Sequence, residues 1–126
     1  MIVDHIGLYV NDLEKTKSFF ETYFHGKANQ LYHNETTGLK TYFLSFENDT
    51  RLEIMYRPNL SERALNELQM GYHHVAFKLG SKKKVDELTE LLQTDGYEIV
   101  SSPRHTGDGY YESVFKLEQY FIELVA

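Results

Sequence analysis

His73-His74-Val75-Ala76-Phe77-Lys78-Leu79, in the middle of the chain, echoes Asp4-His5-Ile6-Gly7-Leu8-Tyr9-Val10 at its start. In both runs the residues of one parity are apolar: Ile6, Leu8 and Val10 in the first, Val75, Phe77 and Leu79 in the second. The other parity carries a histidine followed by a small residue, Gly7 or Ala76. A β-strand sends alternate side chains to opposite faces, so each run buries one face and offers a histidine on the other. The echo reads as two copies of one structural unit whose histidine faces meet at a metal.

The flanking sequence extends the repeat in both directions. After the first run, Asp12 is placed to cap a helix in which Leu13, Thr16, Phe20 and Tyr23 or Phe24 recur at helical spacing. Gly26 is positioned to stop that helix. Residues 28–34 form a weak strand candidate, and Thr36-Thr37-Gly38 turns into the β-branched and aromatic stretch Leu39–Glu47. Asn48-Asp49 makes a tight turn into a strand over Arg51–Tyr56. Residues 57–71 read as a connector with a short helix over Glu62–Met70, closed by Gly71.

The order then recurs. The strand at 72–79 leads to Ser81 as a cap and to Val85, Leu88, Leu91 and Leu92 on a helix ended by Asp95-Gly96. A strand at 97–102, a turn-rich stretch Pro103–Gly109 and strands near 110–117 and 120–125 complete the copy. His5 and His74 lie 69 residues apart, as do Glu21 and Glu90. Gly26 and Gly96, Thr36 and Thr106, and Glu53 and Glu123 lie 70 apart, so one residue inserted near the helix end keeps the copies in step. The chain is expected to be one domain, 1–126, with module one at 1–56, the connector at 57–71 and module two at 72–126.

Bulk properties narrow the function classes. At 126 residues with 41% hydrophobic and 14% aromatic content, the chain suits one globular core. A net charge of −6 argues against nucleic acid and anionic membranes as partners. No apolar run approaches the roughly 18 residues a membrane span needs, and no secretory signal is expected at Met1. A cytoplasmic protein is the expectation. With no cysteine, a metal would have to be held by imidazole and carboxylate.

Four residues fit that description: His5, Glu53, His74 and Glu123. Leu52 and Ile54 flank Glu53 while Ile122 and Leu124 flank Glu123, so each glutamate lies on the face opposite an apolar pair. Each unit would cover its apolar face with its own helix and turn one His and one Glu toward the other. Any one of them alone would read as a solvated residue on a half-exposed strand. Four of the right type at repeat-equivalent places make a nitrogen and oxygen site for a divalent metal: Zn, Ni, Mn, Co or Fe.

The other histidines lack this support. His73 has the core-side parity, and its repeat equivalent is Asp4. His25 sits at a helix end, and His33 and His105 in or beside loops, as substrate contacts or solvated side chains. Lys82-Lys83-Lys84 reads as a solvated first helical turn. Tyr9, Tyr110, Tyr111 and Phe121 would line an apolar pocket or simply pack the sheets.

At Asp4-His5-Ile6-Gly7, Gly71–Phe77, Gly107-Asp108-Gly109-Tyr110-Tyr111 and Ile122-Glu123-Leu124 the chain resembles the vicinal oxygen chelate superfamily. That superfamily includes glyoxalase I, methylmalonyl-CoA epimerase, fosfomycin-resistance proteins, extradiol dioxygenases and bleomycin resistance proteins. The resemblance implies an α+β fold of two βαβββ modules forming an incomplete barrel of mixed sheet around a metal, helices outside, commonly as a homodimer. It places metal ligands at His5, Glu53, His74 and Glu123. Glu53 matches the four-ligand glyoxalase I pattern, where epimerases tend to carry Gln and fosfomycin-type enzymes use three ligands in all.

The activity so implied is that of a metal-dependent lyase or isomerase acting on a small oxygenated substrate through an enediolate-type intermediate, with Glu123 as base and Glu53 its partner. Alternatives are a thiol transferase or other detoxification enzyme on this scaffold, or a non-enzymatic binder of an antibiotic or aromatic ligand. Two departures touch the substrate. Tyr9 stands where glutathione-using glyoxalases have Arg, and Arg57 near where they have Asn, so lactoylglutathione does not carry over. Lys116-Leu117-Glu118-Gln119 replaces the family's common Asp-Pro-x-Gly turn.

Overall fold

Parallel pairing between the first and last strand of each repeat organises the protein. The computed structural model describes residues 1–47, 50–61 and 70–126. The expected turn at Asn48-Asp49 and most of the expected connector helix lie outside those residues. The chain divides into two compact units, Met1–Glu62 and Arg63–Ala126.

In the first unit the order is β1 (Ile6–Tyr9), α1 (Leu13–Phe24), β2 (Lys27–Ala28), β3 (Tyr32–Asn34), β4 (Leu39–Ser45) and β5 (Arg51–Tyr56). The weak strand expected at 28–34 is thus two short ones, both pairing antiparallel with β4. β1 pairs parallel with β5, and β5 antiparallel with β4. Asp12 caps α1 by accepting from Lys15 N–H at 2.9 Å. Leu13, Thr16, Phe19 and Phe20 form its buried stripe, and Phe20 is fully buried, as are Leu44, Leu52 and Ile54 of the sheet it covers.

The end of α1 departs from expectation. His25, at φ 54°, takes the left-handed position that Gly26 was expected to take. Gly26 serves close packing instead: a Cβ there would stand 3.1 Å from the Phe46 ring and 3.3 Å from the Phe20 carbonyl oxygen.

The second unit runs β6 (His74–Lys78), α2 (Lys82–Thr94), β7 (Glu98–His105), β8 (Tyr111–Leu117) and β9 (Tyr120–Val125). β6 pairs parallel with β9, β9 antiparallel with β8, and β8 antiparallel with β7. This is the connectivity of the first unit again. Both sheets are mixed and open, each covered by its own helix, so the fold is α+β as the repeat implied.

Two expectations fail here. Leu91 is exposed; the inward stripe of α2 is Val85, Thr89 and Leu92, with Thr89 donating to the Val85 carbonyl at 2.6 Å and bonded to the buried Ser113 hydroxyl at 2.7 Å. A threonine whose hydroxyl has buried partners takes a place that hydrophobicity alone assigns to leucine. Pro103, Arg104 and His105 continue a strand rather than a turn. Register shifts between Ile99 and Ser101, and between Ser101 and Arg104, mark bulges on this edge strand. There a proline's missing N–H breaks no ladder bond. Among the described residues no helix is long and apolar enough to cross a membrane.

Candidate metal centre

Glu53 sits in β5 with Gly7 of β1 and Phe43 of β4 as its lateral neighbours. The alternation that buries Leu52 and Ile54 under α1 turns its carboxylate to the opposite face. There His5 Nε2 lies 3.6 Å from Glu53 Oε2. The His5 ring meets the Phe43 ring edge-on at 5.1 Å. Its Nδ1 bonds the Asp4 carboxylate at 2.7 Å. Arg51 pairs with the same carboxylate while its guanidinium covers Phe43 at 5.1 Å. The hydrogen bonds from His5 and Arg51 hold the Asp4 carboxyl below the usual range.

The second unit repeats this geometry. Glu123 in β9 has Ala76 of β6 and Val114 of β8 beside it. His74 Nε2 stands 3.6 Å from Glu123 Oε2. The glutamate side chain is only 14% exposed. Burial pushes its carboxyl up; the charge of His74 opposes that, and the carboxyl of Glu112 adds to it. Glu112 is held in turn by Arg104 Nη1 at 3.3 Å, and Arg104 donates to Ser101 Oγ at 2.8 Å.

A separation of 3.6 Å is beyond a hydrogen bond and close to what two ligands of one ion require. Two donors each about 2.1 Å from a tetrahedral centre lie about 3.4 Å apart. Each pair combines an imidazole nitrogen with a carboxylate oxygen, a donor set that suits divalent first-row metals. Among the described residues no group of three or more His, Cys, Asp or Glu is placed to hold a metal. What the structure brings together is His5 with Glu53, and His74 with Glu123.

His73, set aside on parity, proves to be a neighbour of the site. Its Nδ1 is 2.9 Å from Nδ1 of His74, and its ring lies over Phe121 at 5.3 Å. The signal was its alignment with Asp4, which bonds the same nitrogen of His5. His73 and Phe121 also line a cavity of about 260 Å³ with Val100, Ser101 and Val114. Phe121 is therefore a pocket residue, whereas Tyr111 packs toward α2, its hydroxyl donating to Asp86 at 2.6 Å. Tyr9 and Tyr110 are exposed. His105 lies between Lys82, 3.2 Å away, and the Tyr111 ring, while His33 pairs along β3 with Lys40. Lys83 forms an exposed helical pair with Glu87 at 3.6 Å.

The family model for the Glyoxalase/Bleomycin resistance protein/Dioxygenase superfamily matches residues 2–121. The uncharacterized protein YqjT of Bacillus subtilis is 30% identical over 112 residues, covering 85% of this chain and 84% of its own. The fosfomycin resistance protein FosX of Listeria monocytogenes is 30% identical over 125 residues, covering 98% of this chain and 88% of its own. The structure of that FosX with Mn(II) and sulfate superposes with a TM-score of 0.73 over 100% of this chain and 93% of that one, at 28% identity. A glyoxalase/bleomycin resistance protein/dioxygenase domain from Frankia sp. EAN1pec shares the fold, with a TM-score of 0.82 at 16% identity over 99% of this chain and 96% of that one. The family match over residues 2–121, the relatives and the paired modules agree, and the chain belongs to the glyoxalase/bleomycin resistance protein/dioxygenase superfamily.

Proposed function

We propose that the protein is a metal-dependent enzyme acting on a small substrate with adjacent oxygen atoms, in the manner of glyoxalase I. One observation carries this reading: two repeat-related His–Glu pairs with equal 3.6 Å separations between Nε2 and Oε2. His5 with Glu53, and His74 with Glu123, are the donor pairs that would hold a divalent ion. When bound, that ion supplies Lewis acidity toward the substrate's paired oxygens. Glu123 is the base that moves a proton between adjacent carbons, and its partly buried, raised carboxyl suits a group that must both take and give a proton. Glu53 is its counterpart in the other unit. The pocket beside His73 would offer the apolar side chains of Val100, Val114 and Phe121 to the substrate's apolar end. The working form on this reading is a cytoplasmic homodimer.

The likeness to FosX supports a second reading, metal-assisted detoxification of a phosphonate antibiotic such as fosfomycin. The two separate in one experiment. Protein purified without chelator is analysed for Ni, Zn, Mn, Co and Fe, then assayed with methylglyoxal adducts of several thiols and, in parallel, with fosfomycin. Stoichiometric metal and turnover of an adduct are expected. Loss of fosfomycin with inert adducts would overturn the isomerase reading in favour of the second. Absence of metal, with no added ion raising the melting temperature, would overturn both and leave a binding protein.

A further inference from the structure

We infer that Asp4 and His73 are positioning residues that set the tautomers of His5 and His74, and that they do so with unequal strength. The inference rests on the metal reading above. Asp4 and His73 occupy equivalent places in the two repeats, each just before its histidine. Each engages the Nδ1 of that histidine, at 2.7 Å for Asp4 and 2.9 Å for His73. The chemical consequence differs between them.

A carboxylate can only accept, so Nδ1 of His5 donates to Asp4, and Nε2 is the ring nitrogen left to offer a lone pair to an ion. Nε2 lies 3.6 Å from Glu53 Oε2, so this nitrogen and that carboxylate are the donors that would hold an ion. The Asp4 charge also makes the His5 ring a stronger donor to that cation. Arg51 pairs with Asp4 and fixes it.

In the second unit, Nδ1 of His74 can donate only if Nδ1 of His73 accepts, which puts the proton of His73 on its Nε2. A neutral imidazole enforces this tautomer more weakly than a carboxylate does. The first pair, His5 with Glu53, is therefore the firm anchor, and His74 with Glu123 is the half that yields more readily. That assignment agrees with Glu123, rather than Glu53, as the carboxylate that would handle a proton. The His73 ring also lies on Phe121 and lines the cavity, so a substrate group there touches the very ring that orients His74.

The test measures divalent metal affinity by competition with a chromogenic chelator, alongside the visible absorption of the Co(II) form. D4A should weaken binding roughly 10- to 100-fold and perturb the Co(II) bands. D4N, which keeps an accepting oxygen, should lose less. H73F, which keeps a ring on Phe121 without a nitrogen, should lose less than D4A, and H73Q should recover part of that loss. Asp4 is exposed, so the metal-free melting temperature should hardly change. Affinities of D4A and H73F within twofold of wild type, or equal losses in both, overturn the inference while the metal reading stands. Failure of the wild type to bind any of these metals overturns the metal reading and this inference with it.

Discussion

Gly7 and Glu53 are lateral partners in the parallel β1–β5 pair, and a Cβ on Gly7 would lie 3.7 Å from Glu53 Oε2 and 3.0 Å from Met55 Cε. The small residue after each first-strand histidine is therefore tied to the glutamate beside it. Ala76 stands in the same relation to Glu123. Gly7→Ala should cost less than about 1 kcal/mol, because the crowded atom is the end of a flexible methionine. Gly7→Val adds a branch toward the carboxylate and should weaken metal affinity about tenfold, a size usual for contacts that orient ligands. Chelator competition on both variants measures this. Equal affinities for Gly7→Ala and Gly7→Val would remove Gly7 from the site.

Glu123→Gln keeps shape and burial and removes the base. Turnover should fall about 10²- to 10⁴-fold with the fold intact, read from circular dichroism and initial rates. Turnover within a few-fold of wild type would remove Glu123 from that role.

The same residue gives a pH signature without metal. Its folded carboxyl is raised above the ordinary value of 4.5, mainly by burial, so the fold favours its protonated form. The stabilisation is present below the ordinary value and is lost as pH rises through the folded one. Chelated wild type should therefore lose melting temperature relative to Glu123→Gln as pH is raised from about 4 toward neutrality. Subtracting the two curves removes the contribution of Asp4, whose carboxyl is lowered and acts in the opposite sense. A difference that is flat with pH would contradict the raised carboxyl.

Much of this was legible in the sequence because strand alternation and repetition are both read in residue order. The parity of Leu52, Glu53 and Ile54 sets the carboxylate opposite the buried pair, and β5 and β9 fall where their patterns put them. What escaped depends on contacts that parity does not encode. His73 was assigned to the core side, yet it precedes β6 and is free of the strand's alternation, so its ring can turn to His74. Pro103 read as a turn because the bulges that seat it in β7 are a property of the pairing with β8. Leu91 read as inward because helical spacing accommodates both it and Leu92. Leu91→Glu should thus change stability by no more than about 0.5 kcal/mol, whereas Leu92→Ala should cost about 2–5 kcal/mol by chemical denaturation.

The Thr89–Ser113 bond lets the hidden part of the α2 interface be tested directly. Both hydroxyls are buried and 2.7 Å apart, and Thr89 donates to the Val85 carbonyl at 2.6 Å. With that proton committed, Ser113 must donate to Thr89. Ser113→Ala leaves Thr89 with its carbonyl partner, so only one net bond is lost, worth about 1 kcal/mol. Thr89→Val strands the serine hydroxyl at the sheet surface, and a buried donor without a partner costs about 1–3 kcal/mol. Thr89→Val should therefore be the more damaging change, and combining it with Ser113→Ala should recover part of its cost. Urea midpoints of the three variants measure the order. A double variant no more stable than Thr89→Val alone would mean that the two hydroxyls are not each other's partners.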